Sequence, residues 1–121
     1  MLLTRFFDTI SRFVPGDPLL GGNVEAIAKL NPDKIYVENV RSALSISTGM
    51  AERICETAVR QGLFDRYVEV MCPDNSVATS APTEAELPPT VHYWQEENGE
   101  LHDVELPTAT LSKTVFYRYH K

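Results

Sequence analysis

The sequence predicts an α+β fold: an N-terminal amphipathic helix, a central pair of helices followed at once by a strand, and a C-terminal antiparallel β-extension. Three observations point to it. Apolar residues recur at spacings of three and four in the first 61 positions, the signature of helices with one buried face. From Arg66 onward the runs are short, β-prone and separated by turn residues. Asn98-Gly99 between two such runs is a strong hairpin signal.

The elements follow in order. Leu3, Phe6, Phe7, Ile10, Phe13 and Val14 share one stripe, which predicts a helix over 2–14 ended by Pro15-Gly16-Asp17-Pro18. The stripe suits packing on its own domain, docking to a partner, or dimerisation. After Gly21-Gly22, Asn23 is placed to cap a helix over 24–30, which Asn31-Pro32-Asp33 closes. Ile35, Tyr36 and Val37 suit a short strand. Glu38 to Ser45 reads as a helix burying Val40, Ala43 and Leu44, and Ile46 plugs the turn that follows. Ser47 or Thr48 caps the next helix, over 48–61. There Ala51, Ile54, Cys55, Ala58 and Val59 form the inner stripe, and Gly62 stands where a left-handed terminus is wanted.

Arg66–Cys72 alternates, with Tyr67, Glu69 and Met71 opposite Val68, Val70 and Cys72. Residues 73–90 hold four prolines and many small polar residues, and read as an exposed loop. Val91–Gln95 and Leu101–Leu106 form the arms of the hairpin, and Thr114–His120 a last strand. The expected divisions are 1–22 (helix and linker), 23–72 (helical core and first strand) and 73–121 (loop and β-extension).

Composition narrows the function classes. Of 121 residues, 43% are hydrophobic, enough for a core without disulfides. The net charge is −6 and uneven: residues 65–121 carry four basic and ten acidic side chains, while 34–64 carry four and three. An acidic half repels nucleic acid and anionic membranes. Two cysteines, Cys55 and Cys72, make no disulfide framework, so a reducing cytoplasm is expected. Arg5, Asp8 and Arg12 interrupt the apolar N-terminus, so neither a signal peptide nor a membrane segment is expected.

The order of elements in Asp33–Pro73 (strand, helix, tight turn, helix, strand) resembles the winged helix-turn-helix superfamily. That resemblance implies a domain that reads duplex DNA or docks onto other proteins. As a DNA reader, the helix over 48–61 would enter the major groove, with Arg53, Arg60 and Gln61 contacting bases or phosphates and Arg66 contributing from the wing. Glu52 and Glu56 share that face and cancel the charge of Arg53 and Arg60, leaving no surplus for phosphate. Nucleic acid is therefore a disfavoured partner. A basic surface built from Arg5, Arg12, Arg41, Arg53 and Arg60 would reverse that balance.

The C-terminal part resembles a degenerate zinc ribbon, with knuckles at Cys72-Pro73-Asp74-Asn75 and His92-Tyr93-Trp94-Gln95. Asn75 and Gln95 are poor zinc ligands, so no metal and no cofactor is expected. One other set is conceivable: Cys72, His92 and His102 with Asp74 or Asp103, the histidines facing each other across the hairpin. No catalytic motif appears, and a Cys72–His92 nucleophile lacks an orienting third group. The chain is not expected to be an enzyme.

The expectation is therefore a non-catalytic winged-helix adaptor that docks to a larger protein or self-associates. Combinations of this kind resemble accessory modules of microbial defence and regulatory operons. The expected partner-binding residues are Leu3, Phe6, Phe7 and Ile10 on the first helix, Glu52, Arg53, Glu56 and Arg60 on the second helix of the pair, and Trp94. Trp94 and Tyr117, if exposed together, would anchor a protein partner. The alternative is a dimeric DNA-binding regulator using Arg53, Arg60, Gln61 and Arg66.

Overall fold

A computed structural model describes residues 2–13 and 23–120, with side chains described over 4–13 and 25–120. The architecture is α+β. Helices α1 (Leu2–Ser11), α2 (Asn23–Ala28), α3 (Val37–Leu44) and α4 (Thr48–Arg60) precede strands β1 (Phe64–Met71), β2 (Val77–Ala81), β3 (Thr90–Glu97), β4 (Glu100–Pro107) and β5 (Lys113–Tyr119). The strands form a three-stranded sheet in the order β2-β1-β5 and a separate β3-β4 ribbon. The Pro15–Pro18 and Gly21-Gly22 breaks, and the side chains of Leu3 and Val24, lie outside the described residues.

The chain divides into two compact units, Met1–Arg66 with Phe116–Lys121, and Tyr67–Val115. In the first unit, Phe6, Ile10, Ile27, Ile35, Val40, Ile54 and Phe64 are fully or almost fully buried in one cluster with the inner face of α4. Phe6 and Ile10 of the α1 stripe therefore belong to this core, with Phe7 and Phe13 packed partly buried against it. Phe6 lies 4.7 Å from Phe64 and meets Tyr119 edge-on at 6.2 Å, and Phe64 meets Tyr119 edge-on at 5.3 Å. These are favourable aromatic separations, and burying one such ring contributes about 1.5–3 kcal/mol.

The helix pair follows its local chemistry closely. Ser47 caps α4, its hydroxyl accepting from the Met50 amide at 3.1 Å. Ser45 ends α3 in the left-handed region, and Gly62 (φ +74°) turns the chain after α4 into β1. The expected strand at 35–37 is reduced to one antiparallel bridge, Ile35 with Tyr117, with backbone bonds of 2.6 and 2.7 Å. Asn39 accepts from the Tyr36 amide at 2.9 Å, so the chain enters α3 at Val37 instead of extending the strand.

In the second unit the expected loop over 73–90 is partly regular. Pro73–Ser76 makes a turn with Asn75 in the left-handed region, and Asp74 accepts from both the amide and hydroxyl of Ser76. The turn folds Val77–Ala81 back on β1 as β2, in the register Val68 with Ala81 and Val70 with Thr79. A short 3₁₀ turn at Glu84–Glu86 follows. Burial on β1 departs from simple alternation, because neighbouring Glu69 and Val70 are both buried; a register shift lies just beyond, between Val70 and Met71. The β3–β4 ribbon turns at Asn98 (φ 54°) and Gly99 (φ +80°), consistent with a two-residue hairpin turn of two left-handed residues. Thr108 closes its base, donating from its hydroxyl to the Pro88 carbonyl at 2.5 Å and from its amide to Pro89 at 2.9 Å.

Candidate functional site

Two surfaces present the candidate residues, one in each unit. The first is the outer face of α4. Its inner stripe of Ala51, Ile54, Cys55 and Ala58 is fully buried, which turns Gly49, Glu52, Arg53, Glu56, Thr57 and Arg60 outward. With Phe13 these residues line a shallow cleft of about 460 Å³. The Arg53 guanidinium stands over the Phe13 ring at 5.8 Å, and Arg60 donates to the Thr57 hydroxyl at 3.0 Å.

Glu56 is not simply an exposed charge on this face. Its carboxylate accepts from Arg66 Nε at 2.9 Å, from a second Arg66 nitrogen, and from the Tyr117 hydroxyl at 2.5 Å. Burial works to raise its pKa, but the hydrogen bonds from Tyr117 and Arg66, with the charges of Arg66 and Arg60, outweigh it and hold it below 4.5. Burial, and then the same contact, raise the Tyr117 hydroxyl well above the ordinary tyrosine range. Glu56 thus ties α4 to both β1 and β5.

The other sequence candidates resolve unevenly. Phe6 and Ile10 are fully buried in the chain's own core and unavailable to a partner; Phe7 is half-buried against the same cluster. Gln61 sits at the end of α4, its side chain accepting from the Thr9 hydroxyl at 2.6 Å and its carbonyl from Arg5 at 3.4 Å. Arg66 is engaged by Glu56 and Arg41 by Glu38. Of the DNA-contact candidates, Arg53 and Arg60 remain on the open face. Tyr117 is 2% exposed, so it cannot share a surface with Trp94.

The second surface is the outward face of the β3–β4 ribbon. Register places Trp94 opposite Asp103, Glu96 opposite Leu101, and His92 opposite Glu105, all on one face. Trp94 is 66% exposed and Leu101 is 67% exposed. Leu101 escaped the sequence reading, although the two-residue turn at Asn98-Gly99 sets the register that places it diagonally beside Trp94. The Glu56–Tyr117 contact had no such signal, since 61 positions separate the partners.

The conceivable metal set does not assemble. His92 faces Glu105 and pairs with Asp103 at 3.2 Å; His102 faces Gln95 and lies 3.9 Å from Glu100. The histidines are out of register with each other, and Cys72 is buried. Among the described residues no group of three potential ligands converges. Cys55 is also buried, and its thiol is pushed up to about 12 by burial and then by the charges of Glu56 and Glu52, which makes it a poor nucleophile.

Compared with protein-family models, curated proteins and solved structures, the chain matches none. Among the described residues no helix is long and apolar enough to cross a membrane.

Proposed function

We propose that this chain is a non-catalytic winged-helix protein acting as an adaptor that docks onto a larger protein or self-associates. The winged-helix reading rests on the order of elements: α3, a three-residue turn, α4, the β1–β2 hairpin in the place of a wing, and the Ile35–Tyr117 bridge where a first strand would pair. The β3–β4 ribbon stands where a degenerate zinc ribbon would, with Cys72 and His92 at the knuckle positions.

One observation carries the choice of docking over DNA reading. Two of the polar side chains that a groove-reading α4 and its wing would need are engaged inside the chain: Arg66 by Glu56, and the Gln61 side-chain oxygen by Thr9. Arg53 and Arg60 remain, sharing their cleft with Glu52 and Glu56. Phosphate affinity grows with the number of unopposed cations, and here Arg53, Arg60 and Arg66 stand against Glu52 and Glu56, a surplus of one.

A second reading, a dimeric DNA-binding regulator, draws on the segregation of charge. Residues 1–66 and 116–121 hold ten basic and eight acidic side chains, against one and nine in residues 67–115. The helical unit is therefore not acidic by itself. Fluorescence anisotropy of the full chain against duplex DNA, at low and at physiological salt, separates the readings. Docking predicts no binding, or weak binding that disappears with salt. Sequence-dependent binding that survives physiological salt and falls at least tenfold in Arg53→Ala and Arg60→Ala would overturn it.

A further inference from the structure

We propose that the outward face of the β3–β4 ribbon docks a cationic, apolar-anchored protein segment, with Trp94 and Leu101 as the anchor and the surrounding carboxylates as the charged rim. This rests on the adaptor reading and names the chemistry of its partner.

Two independent observations converge on this face. The first is apolar exposure. Trp94 and Leu101 are the two most exposed of the large hydrophobic side chains among the described residues, and they are diagonal neighbours on one face. Diagonal cross-strand neighbours lie within reach of long and aromatic side chains, so the two can form one patch. Isolated exposed apolar residues need no explanation; an indole and a leucine side by side on a ribbon whose other face holds buried Val91 and half-buried Tyr93, Val104 and Leu106 are a different matter.

The second is charge. Glu96, Asp103 and Glu105 share the face with Trp94 and Leu101, as does His92, which pairs with Asp103 at 3.2 Å; Asp74 from the β1–β2 turn joins Trp94, Glu96 and Leu101 around a shallow groove of about 510 Å³ that Tyr93 and Gln95 also line. The whole unit, residues 67–115, has nine acidic side chains and one lysine. Lys113 is committed elsewhere, to the Thr108 and Leu111 carbonyls and to Glu84. Such a field attracts a Lys- or Arg-bearing partner. An exposed indole adds a cation–π face for the same groups. The same ribbon of a second copy fits poorly, because ribbon against ribbon would oppose like charges around the anchor. Nucleic acid is repelled outright.

Trp94 is the only tryptophan in the chain, so emission excited beyond the tyrosine absorption band reports this face. The test titrates the full chain with a synthetic peptide alternating leucine and arginine, beside a control with glutamate for each arginine. The expected result is a saturable blue shift of Trp94 emission with the arginine peptide, none with the control, and at least tenfold weaker binding at high salt. The variants Leu101→Ser and Asp103→Asn/Glu105→Gln, all at exposed positions, should each weaken binding at least fivefold while keeping the parent's urea-unfolding midpoint within ordinary error. Absence of a Trp94 response, an equal response to both peptides, or full binding by the charge-neutralised variant would overturn the proposal. A blue shift that grows with protein concentration alone, together with dimers in sedimentation, would assign the face to a second copy instead. DNA titration distinguishes the two levels. Specific binding through Arg53 and Arg60 would sink the adaptor reading without altering the Trp94 result, while a silent Trp94 in a chain that ignores DNA would sink this surface only.

Discussion

The contact between Glu56 and Tyr117 should be a measurable tie between α4 and β5, and Tyr117→Phe is the perturbation that isolates it. The substitution removes one hydroxyl from a side chain that is 2% exposed and leaves the ring in its aromatic cluster. The lost bond, 2.5 Å long, ends on a carboxylate. Hydrogen bonds to charged groups contribute about 1.5–3 kcal/mol. The Glu56 side chain is 29% exposed and keeps Arg66, so the lower end applies, about 1.5 kcal/mol. Glu56→Ala also loses the Arg66 pair, whose arginine side chain is 43% exposed, and such pairs add at most about 1 kcal/mol. A double-mutant cycle from urea unfolding at pH 7 should return a Glu56–Tyr117 coupling of about 1–1.5 kcal/mol.

The cycle has a pH signature. Glu56 has a lowered pKa in the folded chain, so its contribution is complete above the unfolded value of 4.5 and is lost as pH falls through the lower folded value. The gap in stability between the parent and Glu56→Ala should therefore be full at neutral pH and shrink on acidification below that value. Coupling under about 0.3 kcal/mol, within ordinary additivity error, would refute the reasoning. So would a gap that widens in acid.

Three further outcomes follow from the same geometry. Phe6→Ala should cost about 3–5 kcal/mol in urea unfolding, because the ring is fully buried between Phe64 and Tyr119; a neutral result would return α1 to the role of a free docking helix. Ser47→Ala should cost about 1 kcal/mol by removing the cap on Met50, and Ser47→Asp should restore most of it. Neither Cys55 nor Cys72 should react promptly with an aromatic disulfide reagent at pH 8, and both should react in denaturant. Rapid native reaction of one thiol equivalent would show that one of the buried positions is open.

The local code of the chain determined much of its fold. Helix α4 was legible because its inner stripe, the Ser47 cap and Gly62 are all short-range features, and the ribbon because Asn98-Gly99 supplies the two left-handed residues its turn requires. The β2 strand was hidden because proline-rich flanks mask five small or β-branched residues, and only pairing with β1 makes them a strand. The candidate site was less legible. Periodicity showed that α1 has an apolar stripe but not what covers it, since a partner and the chain's own core leave the same pattern. Tertiary packing decided that Phe6 and Ile10 are core, that Glu56 turns from α4 to Arg66 and Tyr117, and that Tyr117 is buried while Trp94 is exposed. The reason is range. Periods of two and 3.6 residues are set by backbone geometry within a few positions, whereas a side chain's partner depends on which distant segments the fold brings against it.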